Sequence, residues 1–168
     1  YVMEGAEQEL CRLDMVFEAG SKVQDKALQA SMCNAMLFEG TGNKKGEEIH
    51  ESLDFYGAYT QLDINSDRAV VSLYTLNKYF DKVLPIFIDA IKNAAFSEDE
   101  FKVILAQNKQ SFIINSEKVE FKARNTFFKT IFEDHSYGLS ARIEDFDNIF
   151  PEDLVNFHDA YYKNAAMK

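Results

Sequence analysis

The sequence has few residues that cross-link or interrupt a chain, with 2 Cys, 2 Pro and 3 His among 168 residues. Cys11 and Cys33 are too few for a disulfide framework, so the fold must depend on a hydrophobic core. A chain of this length can bury such a core, and it corresponds to about one domain. A hydrophobic share of 46%, with 15 Phe and 8 Tyr, excludes a disordered chain.

Positive charge is also scarce: 18 Lys and Arg stand against 28 Asp and Glu, a net charge of −10. With no basic stripe to neutralise phosphates, we expect no nucleic-acid partner, and an anionic membrane surface would repel the chain. The longest mostly apolar run, from Val83 to Phe96, contains Pro85 and Asp89. It is too short and too polar to span a bilayer. The composition leaves the cellular compartment open.

Hydrophobic periodicity predicts the elements of the first half. Alternation from Leu10 to Phe17 predicts a half-buried strand. An apolar stripe predicts a helix from Lys22 to Phe38, and a second helix follows from Glu47 to Tyr56. Two further alternating segments, Ala58 to Ile64 and Ala69 to Tyr74, flank the turn residues Asn65-Ser66-Asp67 and predict a hairpin.

The second half is predicted to be helical. Helices are expected from Asn77 to Ala94, from Glu98 to at least Ser116, onward to Phe132 after a break, and from Pro151 to Tyr162. Strands followed by helices indicate an α+β fold, with an antiparallel or mixed sheet packed against several helices. Because no linker, repeat or low-complexity tract interrupts the chain, we interpret residues 1–168 as a single domain.

No conventional metal or catalytic motif stands out. Glu47, His50 and Asp54 share a helical spacing that could form part of a metal site, although a solvated helix face explains them as well. His135 and His158 are expected at the surface.

Cys11 lies on the predicted buried side of the first strand, and Cys33 lies on the apolar face of the first helix, so both are interpreted as packed thiols. The glycines between Glu39 and Gly46 follow no strand, so they indicate a helix stop and loop rather than a phosphate loop. The pairs Phe127-Phe128 and Tyr161-Tyr162 are expected in the core.

A series of short sequence segments is more specific than the composition and the hydrophobic periodicity. They are Met36-Leu37-Phe38-Glu39-Gly40-Thr41, Glu48-Ile49, Leu53, Gly57-Ala58, Val70-Val71-Ser72, Leu84-Pro85, Phe96-Ser97-Glu98-Asp99-Glu100-Phe101, Asp134-His135-Ser136-Tyr137-Gly138 and the helix from Phe157 to Tyr162. In combination, this series resembles the zinc-peptidase family of pitrilysin, insulinase and the mitochondrial processing peptidases. The resemblance covers nearly the whole chain, from about Leu10 to Tyr162, and fits the first homologous domain of such a subunit. It implies that an edge strand before Tyr1 and a closing strand and helix after Lys168 are missing here.

The resemblance also locates the zinc-binding positions. In active members, His-x-x-Glu-His precedes the Met-Leu-Phe-x-Gly-Thr segment, and its two His bind zinc while its Glu is the general base. These positions are Ser31, Asn34 and Ala35 in this sequence, and an ungapped count places the third ligand, a Glu in the family, at Ser111. Ala35 has no donor atom, serines are poor zinc ligands, and Asn34 cannot take a proton as Glu does. The resemblance therefore implies a catalytically degenerate member without a catalytic residue or a bound metal.

The resemblance also implies which partners to expect. Family members form chambers from several homologous domains, in which a zinc-free subunit helps to enclose an unfolded peptide. The expected partner is thus an active, zinc-bearing homologous subunit or the second half of the same chain, and zinc is expected only there. The family binds peptide as an added edge strand, which matches Ala58, Tyr59, Thr60, Gln61, Leu62 and Asp63 here. The acidic balance favours basic peptides.

Two alternatives remain open. The chain could be a scaffold or assembly protein with the same fold, as in respiratory-complex core subunits of this family. It could instead be a zinc endopeptidase with a relocated metal site, for which Glu47, His50 and Asp54 are the candidates.

Overall fold

The computed structural model describes residues 9–163. Within this range three strands form one antiparallel sheet: β1 (Leu10–Phe17), β2 (Tyr59–Ile64) and β3 (Ala69–Leu76). The sheet order is β1-β3-β2, so β3 is central and pairs with both neighbours. The predicted hairpin is confirmed, as β2 and β3 are antiparallel partners joined by the turn that contains Asn65, which accepts hydrogen bonds from the backbone of Asp67 and Arg68.

Six α-helices accompany the sheet in the described part of the chain. They are α1 (Gln29–Ala35), α2 (Gly46–Phe55), α3 (Phe80–Lys92), α4 (Glu98–Ser116), α5 (Val119–Phe132) and α6 (Pro151–His158). The architecture is α+β, as the sequence predicts. None of the helices between residues 9 and 163 is long and apolar enough to cross a membrane.

The core lies between one face of the sheet and the helices. Alternate residues of β3, among them Val71 and Leu73, point into it and are fully buried. Val83 and Phe87 of α3 are also buried there, and Phe87 packs against Phe38 with ring centroids 5.8 Å apart. Burial of each such side chain stabilises the fold by about 1.5–3 kcal/mol before entropy costs.

The helix predicted from Lys22 to Phe38 is much shorter in the structure. Only Gln29 to Ala35 is α-helical, because Leu28 adopts a left-handed backbone conformation (φ 70°) just before it. Side chains replace the missing helical bonds: the amide oxygen of Gln24 accepts from the backbone N–H of Ala30, and that of Gln29 accepts from Asp25. Local side-chain bonds of this kind compete with a continuous helix.

Other boundaries differ by a turn. The segment Asn77–Tyr79 is a 3₁₀ turn ahead of α3, and the last predicted helix widens after α6 into a π-helical turn, Asp159–Lys163. The break expected after Ser116 lies between α4 and α5.

The prediction for the aromatic pairs is only half right. Tyr162 is buried and Tyr161 packs against the core, but Phe127 and Phe128 on α5 are 60% and 39% exposed. None of the residues of α5 is buried, so this helix lies against the rest of the domain with one face only.

Candidate functional site

The first degenerate zinc position faces solvent. Ser31 lies on the exposed side of α1, and its hydroxyl donates to the carbonyl oxygen of Leu28 at 3.0 Å. The side chain is thus satisfied by its own helix, as serines often are.

Asn34, which the resemblance matches to the general base, lies in the core. Asn34 is buried, and its Oδ1 accepts a hydrogen bond from the hydroxyl of Tyr162 at 3.2 Å. Burial raises the pKa of the Tyr162 hydroxyl, with the nearby thiol of Cys33 adding to the effect, so that hydroxyl stays protonated and remains a donor. The Cys33 thiol is fully buried and burial raises its pKa as well, which makes it a packed, unreactive side chain as predicted.

The donor set at these positions does not fit zinc. Ala35 offers no donor atom, Ser111 lies exposed on α4, and the oxygen of Asn34 is engaged by Tyr162. Zinc in proteins takes four ligands from Cys, His and carboxylate groups, none of which occurs at Ser31, Asn34, Ala35 or Ser111.

The structure does not assemble the alternative metal site from Glu47, His50 and Asp54. Between residues 9 and 163, no group of three His, Cys, Asp or Glu side chains converges as a metal site would require. His50 is half exposed on α2, and its Nε2 lies 3.8 Å from Oε1 of Glu39. The arrangement is that of a solvated helix face.

The prediction that His158 lies at the surface is wrong. The ring is 3% exposed at the end of α6, where Nε2 lies 2.6 Å from the carbonyl oxygen of Ile91. Because a carbonyl only accepts, Nε2 carries the hydrogen. Burial lowers the pKa of His158, against weaker opposing effects of the Ile91 hydrogen bond and the Asp159 carboxylate. Helical spacing alone could not show that its face of α6 is covered. His135, by contrast, is exposed.

The strand matched to peptide binding lies at one edge of the described sheet. β2 pairs only with β3 among the strands of residues 9–163, so its other edge has no strand partner there. Its residues alternate between exposed and half-buried, and Tyr59 stacks on Tyr74 of β3 with ring centroids 4.5 Å apart. Ala58, the first residue of the predicted segment, is buried just before the strand, and its N–H donates to Leu53.

A cleft of about 760 Å³ lies between the start of α1, the end of β2, and α5. Its lining includes Ser31, Ile64 and Asn65, so the first degenerate zinc position and the end of the edge strand share one cavity. Asn34, Ala35 and Ser111 do not line it. The sequence alone gives no signal for this cleft, because its walls come from three separate segments within residues 21–31, 64–66 and 112–141.

Aromatic side chains form the α4–α5 side of this cleft. Phe112 and Phe121 meet edge to face with centroids 5.7 Å apart, and Phe128 lines the cleft one turn or more further along α5. Phe128 stacks on Phe132, which in turn contacts Tyr137 edge to face at 5.4 Å.

Hydrogen bonds among three side chains, here called the clasp, lie at the end of the cleft next to the hairpin turn. Oδ1 of Asp67 accepts hydrogen bonds from Nζ of Lys22 and from the hydroxyl of Tyr137, each at 2.6 Å. The hydrogen bond from Lys22, and after it the hydrogen bond from Tyr137, lowers the pKa of Asp67. The bond between Tyr137 and Asp67 also raises the pKa of Tyr137. The clasp ties the loop around Tyr137 to the end of the hairpin.

Solved structures share this architecture. The peptidase M16 inactive domain from Pseudomonas fluorescens superposes with a TM-score of 0.87 at 24% identity, over 93% of this chain and 39% of that one. A protease from Helicobacter pylori gives a TM-score of 0.82 at 21% identity, over 89% of this chain and 37% of the other. These likenesses show the fold, an α+β domain of the M16 type.

Sequence comparison gives the family. The pattern that defines the insulinase family, peptidase family M16, matches residues 2–141, and the chain belongs to this family. An "uncharacterized zinc protease" of Rickettsia felis is 20% identical over 163 residues, which are 92% of this chain and 39% of the relative. A protein of the same description from Rickettsia bellii is 23% identical over 132 residues, 75% of this chain and 31% of the relative. The chain thus spans well under half the length of the curated relatives that it matches.

Proposed function

We propose that this chain is a non-catalytic M16 domain that binds extended peptides along β2, paired with an active zinc-bearing subunit or with the second half of its own chain. The observation that carries the proposal is the hydrogen bond from Tyr162 to Asn34, since it holds in the core the residue that the resemblance matches to the general base. An asparagine held in this way neither accepts a proton from water nor reaches a metal. The similar structure from Pseudomonas fluorescens is that of a peptidase M16 inactive domain, which supports the same interpretation.

Peptide binding is supported by the sheet. An edge strand presents backbone N–H and C=O groups that an extended peptide can pair with, while alternate side chains read its sequence. β2 has such an edge among the described strands, and its end opens into the cleft beside Ser31. A peptide added to β2 would therefore run into a cavity large enough for several side chains.

The proposal is tested with fluorescein-labelled decapeptides and the full chain, in parallel samples that contain either zinc or EDTA. We expect saturable binding without cleavage, measured by anisotropy and mass spectrometry. Because a strand pairs through one of its edges, N-methylation of one alternate set of peptide amides should abolish binding, whereas methylation of the other set should not. Hydrogen exchange of β2 amides should slow on binding, while that of β1 amides stays unchanged.

Three results would overturn the proposal. They are EDTA-sensitive cleavage by the chain alone, protection of β1 instead of β2, and a complex with an active M16 subunit that has no peptide affinity. The last result would identify the scaffold role instead.

A further inference from the structure

Among residues 9–163, one cation that lines the cleft has no partner. Three basic side chains line it, and two of them are engaged: Lys22 by Asp67 and Lys26 by Asp153, each at 2.6 Å. The third, Arg124 on α5, makes no hydrogen bond, ion pair or ring contact with any of residues 9–163. In a chain with a net charge of −10, an exposed guanidinium that lines the cleft and has no partner among the described residues is available to a ligand.

The neighbours of Arg124 are aromatic. Phe121, Arg124 and Phe128 all line the cleft and recur at the spacing of one helix face, and Phe112 of α4 packs against Phe121. Phe121 and Phe128 therefore precede and follow Arg124 along the same wall of the cleft. Such a surface suits a ligand with an aromatic or large apolar group next to a carboxylate, because the ring is buried while the guanidinium binds the carboxylate in a bidentate fashion.

The remaining charge restricts where that carboxylate can sit. Asp25, on the segment before α1, is the acidic residue of the lining, and its carboxylate forms no ion pair with Arg124 or either lysine. It would repel a ligand carboxylate placed on its own side of the cleft. The anionic group is therefore directed to the α5 wall.

The position of the cleft links it to the edge strand. Ile64, the last residue of β2, and Asn65 line the cavity. A peptide paired with β2 would leave the strand at this point, and its next side chains would meet Phe121 and Arg124. We propose that Arg124 and the phenylalanines around it select peptides in which an aromatic residue adjoins an acidic one. This inference rests on the proposed peptide-binding function and names the ligand class of the same cavity. It differs from the preference for basic peptides that net charge alone suggests.

The test compares three fluorescein-labelled decapeptides on the full chain by anisotropy. They share one scaffold and differ in a central pair: Phe-Asp, Phe-Lys or Ala-Asp. We expect Phe-Asp to bind roughly tenfold more tightly than either of the others, the size expected for one charge-assisted contact or one buried ring. Arg124→Ala should reduce Phe-Asp binding to the level of Phe-Lys, and Arg124→Glu should reverse the order of the two.

The matched control is Lys129→Glu, which makes the same charge reversal at an exposed residue of α5 outside the lining. It should leave the order of the three peptides unchanged. Since Arg124 is itself exposed, its variants should keep the wild-type circular dichroism spectrum. Equal affinities for Phe-Asp and Phe-Lys, or equal effects of Arg124→Glu and Lys129→Glu, would overturn the inference. If peptide binding were still sensitive to N-methylation in that case, the proposed function would stand and only this inference would fail. Absence of all peptide binding would overturn both.

Discussion

Tyr162, in the π-helical turn after α6, donates its hydroxyl hydrogen to Oδ1 of Asn34 on α1, with 3.2 Å between the two oxygens. The two residues lie 128 positions apart in the chain, and both are buried. The contact joins the last described turn of the domain to the helix that carries the zinc motif in active relatives. Asn34, which the resemblance matches to the general base, thus contributes to stability.

This bond can be measured by a double-mutant cycle. Asn34→Ala leaves the Tyr162 hydroxyl buried and unsatisfied, and it should cost about 1–3 kcal/mol of unfolding free energy in urea. Combined with Tyr162→Phe, the loss should be smaller than the sum of the single losses, because removing both partners leaves no orphaned group. Strict additivity would show that the two side chains do not interact.

Stability should depend on pH through His158. Its pKa is lowered in the folded state, so the unfolded chain, with an ordinary value near about 6.5, binds the proton first as the pH falls. The contribution of the neutral ring is therefore present above about pH 6.5 and is lost on acidification through the folded value. His158→Gln, which can keep a donor to Ile91, should lose less stability than wild type between pH 7.5 and pH 5.

The control for His158 is His135→Gln, because His135 is exposed. Its urea unfolding free energies should follow the wild-type pH profile. If His158→Gln also follows that profile, His158 does not titrate as a buried neutral ring.

Gly20 holds the hairpin turn against the segment that leads to α1. A Cβ atom at Gly20 would lie 2.3 Å from the carbonyl oxygen of Ser66, and the backbone N–H groups of Ser21 and Lys22 bond the same turn. Because the atoms nearest this Cβ belong to the backbone of Ser66 and Asp67, they cannot move aside without distorting the turn. Gly20→Ala should therefore cost about 1–3 kcal/mol.

Gly42→Ala is the matched substitution, because a Cβ there meets no atom within 4 Å. Thermal unfolding should show a lower Tm for Gly20→Ala and a Tm close to wild type for Gly42→Ala. Equal changes in Tm would contradict the close approach at Gly20.

Much of the fold could be predicted because its signals are local. β1 has the predicted limits, and the Met36-Leu37-Phe38 segment is buried next to α1, where its apolar side chains contribute to the core whether or not a metal is bound. The family resemblance, carried by such segments, was a sound guide to the fold. The left-handed turn at Leu28 could not be predicted, since leucine rarely adopts a positive φ. The hydrogen bonds that the side-chain oxygens of Gln24 and Gln29 accept beside it have no signature in the hydrophobic pattern.

Fewer features of the candidate site could be predicted from the sequence. The resemblance predicts from the sequence that the zinc positions are substituted, but the use of Asn34 as a partner of Tyr162 depends on contacts between distant segments. The same is true of His158, whose burial comes from Phe96 and Tyr162 packing against its ring. That Arg124 has no partner in the described part of the chain, unlike Lys22 and Lys26, also depends on ion pairs that only the structure shows.

The most direct test of the account is the zinc content of the full chain. After equilibration with zinc and gel filtration, elemental mass spectrometry should find far less than one zinc per chain, because Ser31, Asn34, Ala35 and Ser111 supply no adequate ligand set. One tightly held zinc per chain would contradict the assignment of these positions and the non-catalytic role built on it.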